Sequence, residues 1–307
     1  HTQGDCNNFL ESVDRALECR IDRERFAVTR GGQDTTVKPF PISVDPALAD
    51  EYLVGWEDRA AAIRKKHRLG DRPLIVGVDR VDYTKGIPER LRAVDRLLQR
   101  HPELKGQFHF VQVGAPSRTH IPAYRDLTEE VQALAEKINW DHGADGWRPV
   151  VFLNEHHGPE DIFALYRASA GCVVSSLHDG MNLVAKEFVT ARGDDRGVLV
   201  LSKFTGAARE LADAVLTNPF DVDEMADGLY AALAMPAAEQ ERRMRRMRAQ
   251  VSDHNIYRWA GTLLSTIGKQ IPEPATGALA PEPDPLVAIE RDIARENYLV
   301  ALRLAAG

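Results

Sequence analysis

Two cations five positions apart, Arg80 and Lys85, stand in the segment VDRVDYTKG at residues 78–86, just after the apolar run Leu74 to Val78. Arginine presents a planar fork of donors and lysine a compact charge, so the pair suits a diphosphate whose charge grows as a bond to it breaks. Ordinary pairing with the adjacent Asp79 and Asp82 explains the same residues about equally well. The segment SSLHDGMNLVAKE, residues 175–187, is more specific. A buried strand ends in an Asp179-Gly180 turn and a helix starts at once. Backbone N–H groups from Gly180 through Met181 and Asn182 to Leu183 are then free, at the positive end of a helix dipole. Gly180 lets a ligand approach the chain closely. Glu187, about one and a half turns into the helix, is placed to accept from a ribose diol. A plain capped turn accounts for the Asp-Gly pair as well. GAPSRTH, residues 114–120, adds Arg118 after another apolar run, for a second phosphate or for a helix cap or a pair with Asp126. LNEHHGPEDI, residues 153–162, carries His156 and His157. Adjacent histidines diverge on most backbones and no further ligand sits at metal spacing, so backbone contact to a base, with Ile162 beneath it, is the better reading.

These segments need a scaffold that gathers them. From residue 73, short runs of Val, Ile and Leu alternate with stretches of helical period, which predicts an α/β, Rossmann-like parallel sheet with helices on both faces. Ligands of such sheets bind outside the carboxyl ends of the strands, where all four segments fall. Strands are expected at 74–78, 108–113, 150–153, 171–175, 198–201 and 214–217, and helices at 88–99, 121–138, 159–169, 182–191, 207–211 and 223–234. Two more helices are expected at 237–254 and 255–267. Residues 1–46 break the pattern with a helix at 8–20 and a polar loop around Gly31 and Gly32, and look like the tail of another domain. Residues 47–270 form the sheet domain, 271–285 a linker with five prolines, and 286–307 a final amphipathic helix.

Composition narrows the partners. The net charge of −7 argues against a nucleic acid or an anionic membrane. The arginines between Arg242 and Arg248 follow Glu239 and Glu241 and read as a solvated helix face. Trp140 and Trp147 are expected in core or rim packing. Cys6, Cys19 and Cys172 share no metal spacing and suit a reducing compartment, hence the cytoplasm. No apolar run reaches the roughly 18 residues of a membrane span. The chain opens on His without a basic start or signal core and reads as a fragment or processed product. No GxGxxG follows the first strand, which disfavours a dinucleotide-dependent dehydrogenase.

In order and with matching separations, VDRVDYTKG, GAPSR, HDGMNLVAKEF, GVLVLSKFTGAARE and NPFDVDE resemble the trehalose-6-phosphate synthase family, the retaining glycosyltransferases of family 20, over residues 50–270. HTQGDCNNFLESVDR and PFPISVDP resemble the later part of that family's N-terminal, acceptor-binding domain. The resemblance implies a GT-B fold, two Rossmann-like domains facing across a cleft, of which residues 47–270 are the C-terminal, UDP-sugar-binding one. It implies that Arg80 and Lys85 bind the donor diphosphate, and that Asp179, Gly180, Met181, Asn182, Leu183 and Val184 bind donor phosphate and glucose, with Asp179 on sugar hydroxyls. Glu187 would hold the ribose, the chain at His156 and His157 with Ile162 the uracil, and Arg118 the acceptor phosphate. Arg80, Lys85 and Asp179 would be the catalytic residues. The implied reaction passes glucose from UDP-glucose to glucose 6-phosphate with retention, without cofactor or metal. Partners would then be UDP-glucose and a sugar-phosphate acceptor, with a homo-oligomer left open.

Two departures qualify this. His178 stands where the family often has Arg, and the glycine-bearing loop and acceptor strands of the N-terminal half are missing, so the 307 residues alone are expected to be inactive. The alternatives are a glucosylglycerol-phosphate synthase or another phosphorylated acceptor, and a nucleotide-sugar-binding module without catalysis.

Overall fold

The computed structural model describes residues 1–118 and 120–269. The expected linker 271–285 and helix 286–307 lie outside the described residues. The described residues form two compact units, one from residues 1–45 with 253–269, the other Pro46–Ser252.

In the first unit, the Thr2 side chain accepts from Asp5 N–H while the Asp5 carboxylate accepts from Thr2 N–H. This reciprocal cap starts α1 (Gln3–Ala16) five residues before the expected helix, and extended Leu17 ends it. The expected polar loop is instead a three-stranded antiparallel sheet of β1 (Arg20–Asp22), β2 (Ala27–Arg30) and β3 (Gln33–Thr36). Gly31 and Gly32, both at positive φ, make the two-residue turn between its last strands.

The second unit opens with α2 (Leu48–Tyr52) and α3 (Trp56–Lys66). It continues through β4 (Leu74–Arg80), α4 (Ile87–Arg100), β5 (His109–Ala115), α5 (Pro122–His142), β6 (Val150–Leu153), α6 (Pro159–Ala168), β7 (Gly171–Val174), α7 (Leu183–Ala191), β8 (Val198–Ser202), β9 (Val215–Thr217), α8 (Val222–Ala234) and α9 (Ala237–Asp253). Its six strands are parallel in the order β6-β5-β4-β7-β8-β9. Buried on both faces, they are almost wholly apolar, and that made them legible. One face carries α4, α5 and α8 around Ile75, Leu91, Phe108, Phe110, Val200 and Leu229. On the other, α6 and α7 pack against β4, β7 and β8, and α3 packs on α6. The chain runs outward from β4 to β6 and then returns to start β7 on the far side of β4. The crevice for a ligand therefore opens at the carboxyl ends of β4 and β7.

Two expectations in this unit fail. Residues 207–211 make only a 3-10 turn, Gly206–Arg209, because Gly206 is locked to the neighbouring loop. Trp140 is 88% exposed, since it lies on the solvent side of α5, while Trp147 is buried and donates to the Phe108 carbonyl. The helix after α9, α10 (Ile256–Gly268), belongs to the first unit. Its Ile256 N–H donates to the Val44 carbonyl, the Tyr257 hydroxyl to Asp45, and the Trp259 indole to the Phe40 carbonyl. The sheet unit thus ends at Ser252, where the sequence reading carried it to 270.

Candidate active site

Beyond β4, the Asp82 carboxylate accepts from the Thr84 N–H and hydroxyl and starts a 3-10 turn, Tyr83–Lys85. Gly86 then turns the chain into α4 at φ 62°. A Cβ there would lie 2.3 Å from the Ser175 carbonyl oxygen, so only glycine lets the β4 loop close against the end of β7. The Ser175 hydroxyl lies 2.8 Å from the Gly86 carbonyl oxygen and 3.0 Å from that of Lys85, and accepts from Arg90 Nε at 2.9 Å. Arg90 is fully buried, with Asp79 at 2.8 Å and the Gln112 side-chain oxygen at 2.9 Å. Gly77 makes room for it, as a Cβ would meet its guanidinium at 2.1 Å. Burial pushes the Asp79 carboxyl up, against the pull of Arg90. Asp79 is therefore occupied from below, and neither Arg80 nor Lys85 pairs with it.

Lys85 reaches across the crevice instead, its Nζ 2.7 Å from Asp179 Oδ2, 94 residues away in sequence. Arg80 ends β4 with an exposed side chain that has no hydrogen bond or ion pair among the described residues. The Asp179 oxygens also accept from the Ser176 hydroxyl, the Asn182 side-chain amide and the Met181 N–H. Burial raises the Asp179 carboxyl, but Lys85, the Asn182 amide and the Met181 N–H outweigh it and hold it below the ordinary value of 3.8. The surrounding turn is built for this. Asp179 N–H donates to the Phe204 carbonyl, Gly206 N–H to that of Asp179, and Ala207 N–H to that of Met181. A Cβ on Gly206 would lie 2.0 Å from the Gly180 oxygen, so the two loops touch backbone to backbone.

Asn182 caps α7 at φ 76°, its side-chain oxygen accepting from Ala185 N–H. The cap is thus Asn182 and not Asp179, and the helix begins at Leu183. Of the amides expected to be free, Met181 is tied weakly to Asp179 at 3.4 Å. Those of Gly180, Asn182 and Leu183 have no partner among the described residues, and neither has that of Val184, one residue beyond the expected run. Unpartnered amides at the positive end of α7, beside Lys85, suit an anion chemically. Behind them, buried Lys186 holds Glu210 at 2.6 Å and ties α7 to the loop after β8.

Burial raises the Glu187 carboxyl, while the Tyr166 hydroxyl, 3.5 Å away, works to lower it. Arg118, at φ 48°, pairs neither with Asp126 nor as a cap. It donates to the Tyr124 hydroxyl at 3.0 Å and lies over that ring, and Tyr124 donates on to Asp82. His156 and His157 part as expected. His156 is exposed, and the buried His157 ring sits between Glu155 and Asp161, at 3.6 and 3.8 Å. Both line a cleft of about 400 Å³ with Arg59, Lys66 and His67, and Ile162 is half-buried in the first turn of α6. The geometry thus joins Lys85 directly to Asp179 and links Arg118 to the β4 loop, while His156 and His157 share no hydrogen bond or ion pair with these residues and line the cleft beside α3. Ser175, Arg90, Tyr124, Tyr166 and Gly206 were missed. Only the glycines carried a signal, Gly77 inside an apolar strand and Gly206 just after one.

A profile of glycosyltransferase family 20 matches residues 1–269. The chain belongs to glycosyltransferase family 20. Among family 20 relatives, trehalose-6-phosphate synthase of Mycolicibacterium vanbaalenii is 38% identical over 280 residues, which is 89% of this chain and 57% of that protein. Alpha,alpha-trehalose-phosphate synthase [UDP-forming] A of Dictyostelium discoideum is 34% identical over 269 residues, 88% of this chain and 36% of that one. The solved alpha,alpha-trehalose-phosphate synthase (UDP-forming) of Burkholderia xenovorans in complex with glucose-6-phosphate has a TM-score of 0.82 at 32% identity, covering 87% of this chain and 60% of that one. An E. coli structure bound with UDP-2-fluoro glucose gives 0.82 and 32%, covering 89% and 60%. The parallel sheet is the Rossmann-like fold of GT-B glycosyltransferases. The chain spans 36–60% of the length of these family 20 relatives.

Proposed function

We propose that the chain is the donor-binding half of a retaining transferase that moves glucose from UDP-glucose to glucose 6-phosphate, giving trehalose 6-phosphate and UDP. The observation that carries this is the crevice where Lys85, Asp179 and the unpartnered amides at the start of α7 meet, with Arg80 at the end of the adjoining strand. The names of the relatives support the donor and the acceptor.

In this reading the diphosphate takes the amides of α7, Lys85 and Arg80, and Asp179 accepts from glucose hydroxyls. Glu187 accepts from the ribose, the chain at His156 and His157 with Ile162 receives uracil, and Arg118 holds the acceptor phosphate. As the bond between the anomeric carbon and the diphosphate oxygen breaks, the two cations and the helix dipole stabilise the charge left behind. The acceptor hydroxyl bonds to the same face of the sugar, and its proton passes to the departing phosphate oxygen, so configuration is retained. The charge is met by side chains and amides, and the reading assigns no metal. Three free cysteines agree with a reducing compartment, the cytoplasm in this proposal.

Calorimetry of the 307-residue chain with UDP, GDP and ADP tests the donor site. UDP binds best, and EDTA leaves its affinity unchanged. Equal affinity for the three nucleotides overturns the reading. With UDP-glucose and glucose 6-phosphate, these residues by themselves hold the donor without turnover. Release of UDP at ordinary enzyme rates refutes that part.

A further inference from the structure

Tyr166 lies near the end of α6, wholly buried, with its ring edge-on to Phe163 and Phe188 at 5.8 and 5.9 Å. Its backbone is fixed too, since its carbonyl accepts from Arg192 Nη1 and the Ser169 hydroxyl. A phenol so enclosed must find an acceptor for its hydroxyl. It finds Glu187 Oε2 at 3.5 Å, and no other side chain donates to that carboxylate among the described residues. Glu187 is long and flexible, and the phenol is rigid. One oxygen of the carboxylate is therefore held from below, and the other is left for a ligand.

Resting on the proposal that Glu187 takes the ribose, we infer that Tyr166 is a positioning residue that aims the Glu187 carboxylate at the ribose diol and so makes the site select nucleotides that carry it. Two donors from vicinal hydroxyls need an ionised carboxylate in one orientation, because a protonated one gives up an acceptor position. Burial works against the ionised form, and the Tyr166 hydroxyl works for it. The phenol itself stays protonated, as burial and then the Glu187 charge push its ionisation well above the ordinary range. Asp79 and Cys172 are the other titratable groups that act on this hydroxyl.

The test compares the wild-type chain with Tyr166→Phe, which keeps the ring packing and removes only the donor. Calorimetry uses UDP and 2′,3′-dideoxy-UDP across a pH series, with melting temperature as the control. In the variant, UDP binds roughly tenfold more weakly, as expected for a lost hydrogen bond to a charged group. Binding of dideoxy-UDP and the melting temperature stay as they were, and the loss of UDP affinity on acidification begins at a higher pH. Equal weakening of both nucleotides, or no change in either, overturns the inference. A wild-type chain that binds UDP and dideoxy-UDP equally well removes the ribose role of Glu187 and the inference with it. A chain that binds neither removes the donor site itself.

Discussion

Arg80 and Lys85 carry the same charge but meet a ligand from different starting points, one exposed without a partner and the other already in an ion pair. Arg80→Ala removes attraction alone. It should weaken UDP roughly tenfold and leave the melting temperature unchanged. Lys85→Ala also strands a mostly buried Asp179, so it should weaken UDP at least as much and cost about 2 kcal/mol of stability. Calorimetry with thermal melting separates the two, and a double variant that still prefers UDP removes both residues from the site. The carboxylates respond to pH in opposite senses. Glu187 is raised above 4.5 in the fold, so its stabilisation is full below that value and fades as pH rises through the folded value. Asp179 is held below 3.8, so its contribution is full above 3.8 and is lost only as pH falls further. Between neutrality and pH 4.5, UDP affinity should decline because Glu187 takes up a proton. Glu187→Gln should flatten that decline in a calorimetric pH series.

At the scale of elements, the site depends on loops that meet without side chains between them. Gly206→Ala drives a Cβ against the Gly180 carbonyl, and should lower both stability and UDP affinity, by about 2 kcal/mol in melting and more than tenfold in binding. Gly146→Ala is the control. Gly146, unlike Gly206, is at positive φ but has open space around it, so the substitution should cost about 1 kcal/mol from backbone strain and leave UDP binding intact. The strands were legible because parallel strands buried on both faces are continuous apolar runs, and β6 matched residue for residue. β3 was not, since QDTT is exposed throughout and offers no alternation. Helix α3 buries only Ala60 and Ile63 among its charges, too little contrast to announce a helix. Arg90 was beyond reach for the converse reason, because an arginine on an amphipathic helix reads as solvated until the glycine beneath it is seen in space. The Lys85–Asp179 pair joins residues 94 apart, a distance that no local motif spans.

Across the whole molecule, 46 acidic residues outnumber 39 basic ones, and the arginine-rich stretch of α9 is matched by carboxylates. Arg242, Arg243, Arg245, Arg246 and Arg248 each lie against Glu239, Asp213 or Asp195, which agrees with their reading as a solvated face. Binding at a single crevice of a cooperative sheet unit should protect all of that unit. UDP at a hundred times its dissociation constant should add about 2.7 kcal/mol to unfolding, seen as a rise in melting temperature that GDP does not match. The resting contact between Lys85 and Asp179 bears on the order of events. A diphosphate that claims the ammonium takes it from a carboxylate, which is left bare unless hydroxyls arrive to cover it. UDP-glucose brings those hydroxyls, and UDP does not. In the proposed reaction, the spent nucleotide would leave that carboxylate uncovered, and its pull on the lysine would favour release of UDP after transfer.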